Sequence, residues 1–187
     1  MKTISTLLFA ILVFAFSGIH AQTKSINVEK SNIHWLGKKL IGQHEGDLKF
    51  HEGDLIFEKG KLVSGKFTVN MSTISTTDLE GELKKMLDDH LKSDDFFGVE
   101  AHPTAKLVLN KVKDNGKGNV SVVGEMTIKG VTNEIKFDMH LKDNSASAEI
   151  KIDRTQYGIK YGSKSFFPDL GDRVIEDIIE LNVQLVF

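Results

Sequence analysis

The run Asn119-Val120-Ser121-Val122-Val123-Gly124-Glu125-Met126-Thr127-Ile128-Lys129-Gly130-Val131-Thr132-Asn133-Glu134-Ile135-Lys136-Phe137-Asp138-Met139-His140-Leu141-Lys142 decides the fold class. Val120, Val122, Gly124, Met126 and Ile128 share one side of it, with Glu125, Thr127 and Lys129 opposite. After Lys129-Gly130-Val131-Thr132, Ile135, Phe137, Met139 and Leu141 alternate with Lys136, Asp138, His140 and Lys142. A period of two sends successive side chains to opposite faces of a strand, so each half of the run is a strand with one apolar face. The short polar link between them makes the two strands antiparallel neighbours.

The same alternation extends outward in both directions. Phe67, Val69 and Met71 alternate with Lys66, Thr68, Asn70 and Ser72; Ala148, Ile150 and Ile152 form another stripe; Leu181, Val183, Leu185 and Phe187 end the chain. Shorter strands fit 24–28, 32–41, 46–50, 54–58 and 104–112. Turns are expected at Glu58-Lys59-Gly60-Lys61, at Asp114 to Gly118 with Asn115-Gly116 as the tight pair, and at Asp143-Asn144-Ser145. No crossover helices separate the strands. Such a sheet must close on itself or stack on a second sheet, and about eight long strands make an antiparallel barrel that side chains fill or that holds one small ligand.

One stretch has a different period. Leu79, Leu83, Met86, Leu87 and Leu91 recur at helical spacing, and Thr77 with Glu80 fits a capping box, so a single α-helix over 79–91 is expected. Its apolar face needs a partner, and the open end of the barrel is the simplest one, with Phe96 and Phe97 as plugs. Asp88 and Asp89 are expected on its wet face, and Asp94 or Asp95 as caps of the next turn.

The N-terminal residues are of another kind. Lys2 precedes an apolar run from Leu7 to Phe16, and Ser17-Gly18-Ile19-His20-Ala21 offers a small residue for cleavage. This layout reads as a secretory signal peptide over 1–21, too short in its apolar part to span a bilayer. A periplasmic or secreted domain over 22–187 is expected, with the formal charge of −2 moving to −3 once Lys2 is removed. Interspersed charges of both signs give no footprint for nucleic acid. Cysteine is absent, which excludes a disulfide frame, a thiol nucleophile and a lipidated cysteine.

Candidate chemistry is sparse. His34, His44, His51, His90, His102 and His140 show no metal-clip spacing, although His44 and His51 could meet across a hairpin; no metal and no cofactor are expected. No nucleophile elbow, phosphate loop or HExxH run is present. His90 reads as a satisfied, partly buried structural histidine. Arg154 continues the stripe of Ala148, Ile150 and Ile152 inward and needs a partner, either a structural acid or an anionic head group. Nine phenylalanines lie beyond residue 21. They suit a filled core or the wall of an apolar pocket, and composition by itself favours the core.

Several segments in order resemble the YceI-like family across nearly the whole chain after residue 21. They are Trp35-Leu36-Gly37-Lys38-Lys39 with His44-Glu45-Gly46; Gly65 to Met71; His90-Leu91-Lys92-Ser93-Asp94-Asp95-Phe96-Phe97 leading to Pro103; Gly124 to Thr132; and Ile152 to Ile159. The resemblance implies a lipocalin-like barrel with a helix-bearing insertion, exported to the periplasm. It also implies non-catalytic binding of a polyisoprenoid or fatty-acid-like lipid in the lumen, which turns the balance from core to cavity. The lipocalin G-x-W is replaced by Ile33-His34-Trp35, so the likeness to true lipocalins is one of shape. On this basis the lumen would be lined by Trp35, Phe67, Val69, Leu87, Leu91, Phe96, Phe97, Met126, Phe137, Met139, Ile150 and Ile152, with Arg154 as head-group contact.

Two other readings compete. An enzyme acting on a bound lipid would use His90 or Arg154. An outer-membrane barrel would explain the terminal Phe187, but it requires an outward apolar band and a polar lumen. Pairing of two copies through an exposed edge strand stays open.

Overall fold

The computed structural model describes residues 21–187, so all of the expected signal peptide except Ala21 lies outside the described residues. Nine strands follow in order: β1 (Ala21–Ser25), β2 (Asn32–Lys39), β3 (Gln43–Glu58), β4 (Lys61–Thr76), β5 (Thr104–Gly116), β6 (Asn119–Ile128), β7 (Val131–Lys142), β8 (Ser145–Asp153) and β9 (Ile175–Val186). One helix, α1 (Gly81–Lys92), lies between β4 and β5. Strands β2 to β9 run up and down as sequential antiparallel neighbours, and the β9–β2 ladder closes them into an eight-stranded barrel. Strand β1 shares an edge of β3 with β2: Ser25 faces Asp54, whereas Ile33 faces Leu48.

The alternation that marked the strands is the alternation of burial. Val120, Val122, Gly124, Met126 and Ile128 point inward on β6, and Ile135, Phe137 and Met139 on β7. Glu134, Lys136, Asp138 and His140 face outward and are exposed. An apolar lumen inside a charged exterior is the inverse of a lipid-facing membrane barrel. The phenylalanines divide by place. Phe57 and Phe187 pack together at one end, with ring centroids 5.9 Å apart, while Phe166 and Phe167 are exposed.

Several expectations need correction. The strands over 46–50 and 54–58 are one, β3, whose ladders with β4 shift register at three places without ending the strand. Strand β1 covers 21–25 rather than 24–28. The tight pair between β5 and β6 is Lys117-Gly118, not Asn115-Gly116, because a register shift between Asp114 and Gly116 carries the ladder past that site. Lys117 and Gly118 both have positive φ, as do Lys59-Gly60 and Lys129-Gly130. Both central residues of a type I′ hairpin need that backbone, and three lysine–glycine pairs supply it. His44 and His51 sit on the same strand rather than across a hairpin.

The helix departs from its sequence pattern most. Its N-cap residue is Glu80, with no side-chain cap; the Thr77 hydroxyl donates to the Glu45 carbonyl instead. Leu83 and Met86 are exposed, and only Leu87 and Leu91 turn toward the barrel, because the helix packs along β4 and offers it a narrow stripe. The turn after the helix is closed by the Phe96 and Gly98 amides bonding to the Ser93 carbonyl, not by Asp94 or Asp95. Asp88 is on the packed side: its Oδ1 accepts from the Thr76 amide at 2.7 Å and its Oδ2 pairs with Lys84 at 3.1 Å. Lys84 also donates to the Thr76 carbonyl and to Ser75 Oγ. Both members of this intrahelical ion pair therefore hydrogen-bond the end of β4 and tie α1 to it.

Two tests follow from this packing. A Cβ on Gly46 would run into the Ser75 carbonyl oxygen and lie 2.7 Å from the Trp35 ring, whereas one on Gly37 meets nothing nearer than 4.0 Å. Gly46→Ala should lose about 1–3 kcal/mol in urea unfolding, and Gly37→Ala should lose none; equal losses would refute the steric account. Partial burial pushes the Asp88 carboxyl up, but hydrogen bonds from Thr76 and the Lys84 charge outweigh this, and the net direction is down. An acid lowered in the folded state stabilises it above the unfolded value of 3.8 and loses that effect as pH falls through the folded value. Hydrogen-exchange protection of the Thr76 amide should fall across that acid range in the wild type and be low throughout in Asp88→Asn; unchanged protection in the variant would break the link.

Candidate functional site

The barrel is not filled. It encloses a cavity of about 250 Å3, far larger than the space one water requires. Every strand of the ring, β2 to β9, turns apolar side chains to its wall: Ile33 and Trp35 from β2, Leu48 and Phe50 from β3, Phe67, Val69 and Met71 from β4, Leu107 from β5, Met126 and Ile128 from β6, Phe137 and Met139 from β7, Ile150 and Ile152 from β8, Leu181 and Val183 from β9. Ala105 and Ala148 keep the space open where a larger side chain would fill it.

The helix end of the cavity is closed by an aromatic and cationic cluster. The Phe96 ring lies 5.1 Å from Phe97 and 5.8 Å from His90, centroid to centroid, and His90 lies 4.5 Å from Tyr161. Arg154 is 1% exposed, and its guanidinium carbon is 5.6 Å from the Phe96 ring centroid. Its Nε donates to the Glu176 carbonyl, Nη1 to that of Ile159 and Nη2 to that of Ile175, at 2.9–3.1 Å; Asp177 is 3.5 Å away. Burial pushes the guanidinium's pKa down, against Asp177 and Asp153, which raise it. Arg154 is thus a hub that ties the short helical turn Arg154–Tyr157 and the loop after it to the start of β9. Of the partners expected for it, the acid stands farther off at Asp177; its donors go to backbone carbonyls, which the sequence pattern did not suggest, while the residue itself lies on the cavity wall.

All thirteen residues named from the sequence, Trp35 to Arg154, lie on this one wall. His90 lies there too, but not as a satisfied histidine. Its Nε2 is buried without a hydrogen-bond partner among the described residues, and so is Nε1 of Trp35. Ile33, Met71 and Ile128, not named, stand two positions along a strand from a named residue, so extending each stripe by one step would have found them, whereas Leu181 and Val183 lie on β9, from which none was named.

Lys39 and His44 were missed for another reason, since their polarity hid their inward direction. Lys39 Nζ and His44 Nε2 are 2.9 Å apart, and His44 Nδ1 is 2.9 Å from Asp78 Oδ2. An ammonium can only donate, so His44 accepts at Nε2 and donates from Nδ1 to Asp78. Partial burial raises the Asp78 carboxyl, but the hydrogen bonds from His44 and the Glu45 amide prevail and lower it overall.

The geometry has parallels. A family model described as YceI-like domain matches residues 25–187. A UPF0312 protein of Shewanella denitrificans is 36% identical over 76 residues, covering 41% of this chain and 38% of that protein. One from Staphylococcus aureus is 36% identical over 85 residues, covering 40% and 47%; the matches thus span less than half of these relatives. Among solved structures, BcnA of Burkholderia cenocepacia has a TM-score of 0.69 at 20% identity, covering 87% of this chain and 99% of its own. A Saccharophagus degradans domain described as polyisoprenoid binding has a TM-score of 0.61 at 11% identity, covering 89% and 97%. At those identities the structures establish a shared fold, and the family model, which takes in every strand from β2 onward, establishes descent: the chain belongs to the YceI-like family.

Proposed function

We propose that this protein binds a long-chain apolar lipid, a polyisoprenoid or a similar amphiphile, in the barrel lumen, and that it carries or stores the lipid without chemical change. The observation that carries this reading is the 250 Å3 cavity with apolar side chains from all eight strands of the ring. A prenyl or acyl chain presents only hydrocarbon along its length. Aliphatic and phenyl side chains suit it, and each buried methylene contributes about 0.8 kcal/mol. The Saccharophagus degradans domain, which shares the fold and is described as binding a polyisoprenoid, supports the same ligand class. The N-terminal pattern around Lys2 and the Leu7–Phe16 run supports work outside the cytoplasm, in the periplasm or the medium.

Expression from the full gene and purification without detergent, followed by native and denaturing mass spectrometry, tests the reading. The native protein should carry a discrete added mass that extracts into organic solvent as a long-chain lipid. Ala148→Phe, which projects a phenyl group into the lumen, should remove that mass and cost about 1–3 kcal/mol of stability. A clean apo mass that also stays clean after incubation with prenyl lipids would refute lipid binding.

A further inference from the structure

The cavity wall is apolar along most of its length, with one polar indentation between β2 and β3. Trp35, Gly37 and Lys39 are successive residues of β2 on the wall. Across the ladder, Gly46 faces Trp35 and His44 faces Gly37. Gly37 carries no side chain where a side chain would point inward, and a Cβ there would have only Trp35 Cζ3 and the His44 carbonyl oxygen near it, both at 4.0 Å. The space left is a notch with the Cζ3 corner of the indole below it and Lys39 and His44 at its rim.

Two polar groups on this part of the wall keep hydrogen-bonding capacity that the protein does not use. Trp35 is 6% exposed, and its Nε1–H is buried without an acceptor among the described residues. Natural interiors seldom leave such a donor unpaired. Lys39 gives one of its three N–H bonds to His44, which Asp78 holds from behind, off the wall. The charged side chains on the wall are Lys39, Lys106 and Arg154 against Glu176; Glu176 is exposed, and Arg154 has its donors on backbone carbonyls. A hydrocarbon end placed in the notch would strip water from Lys39. An oxygen acceptor with negative charge would pair with it.

We propose that the notch takes the polar end of the bound lipid and that this end is an anionic oxygen group, a carboxylate or a phosphate. Lys39 Nζ donates to it, the His44–Asp78 pair fixes Lys39, and the Cζ3 corner of the Trp35 indole borders it. Arg154, the head-group contact expected from the sequence, is replaced in that role by Lys39. The assignment rests on the reading of the lumen as a lipid site and adds to it the class and the position of the head group.

The test uses the delipidated protein and three ligands with one tail: geranylgeranyl phosphate, geranylgeranoic acid and geranylgeraniol, each competing with a fluorescent fatty-chain probe. At least one anion should bind about tenfold or more tighter than the alcohol, and the stronger of the two identifies the head group. Lys39→Met should bring the anions to the level of the alcohol and leave the alcohol itself little changed. Lys38→Met, which removes a lysine paired with Glu180 off the wall, should keep the ratio. The single tryptophan should report the same event as an emission shift on anion binding. Equal affinity for anion and alcohol, or a ratio that survives Lys39→Met, overturns the head-group assignment while the lipid site stands. Failure of all three ligands to bind removes both.

Discussion

Closure of the sheet by the β9–β2 ladder is the constraint on which the rest depends. Until the C-terminal strand returns to the second one, β2 and β9 are edges with unpaired backbone groups, and the apolar stripes face water. The contact joins residues far apart in sequence, Ile33 with Val183 and Trp35 with Leu181. Its loop-closure entropy is therefore large, and local hairpins must form first or with it. Once closed, eight strands leave an interior near the limit at which side chains can meet across it, so modest changes in residue size decide between a packed core and a lumen.

The two ends of the barrel solve different problems. At one end, the Lys59-Gly60, Lys117-Gly118 and Asp143-Asn144 turns reverse the chain, and Phe57 packs on Phe187. At the other end the β4–β5 and β8–β9 connections are long, and the chain covers the opening with α1, Phe96 and the loop after Arg154. This cover is held by few but specific bonds: Asp88 to the Thr76 amide, and Arg154 to three carbonyls. A lid held by hydrogen bonds and ion pairs at its margins, over an apolar interior, can open locally without unfolding the ring, and local opening of this kind ranks low among a protein's unfolding free energies.

The strands were legible in the sequence because a period of two is imposed by the pleat itself and survives local irregularities. The bulges in β3 interrupted the pattern, and one strand consequently read as two. The helix was legible as an element but not in its orientation: five apolar residues at helical spacing suggested a broad buried face, and tertiary packing uses only Leu87 and Leu91 of the helix. Asp88 reads as a surface residue until β4 is known to end beside it. Lys39, His44 and Asp78 come together through the β2–β3 ladder and the link into α1, a juxtaposition that no spacing along the chain encodes.

An unfilled lumen is itself a thermodynamic statement. Cavities in protein interiors forgo contacts worth on the order of 20 cal/mol per Å3, so a space of 250 Å3 represents several kcal/mol of packing left unmade. That is a sizeable share of the net stability of a domain. A larger residue at Ala105, Ala148 or Gly37 would recover part of it, yet these positions stay small, and Trp35 and His90 keep buried polar atoms without partners. Both deficits lie on one surface, the wall of the lumen, and the tail of a bound amphiphile would supply the missing contacts. Ligand binding and folding stability are then linked, since whatever fills the folded barrel and not the unfolded chain shifts the equilibrium toward the fold.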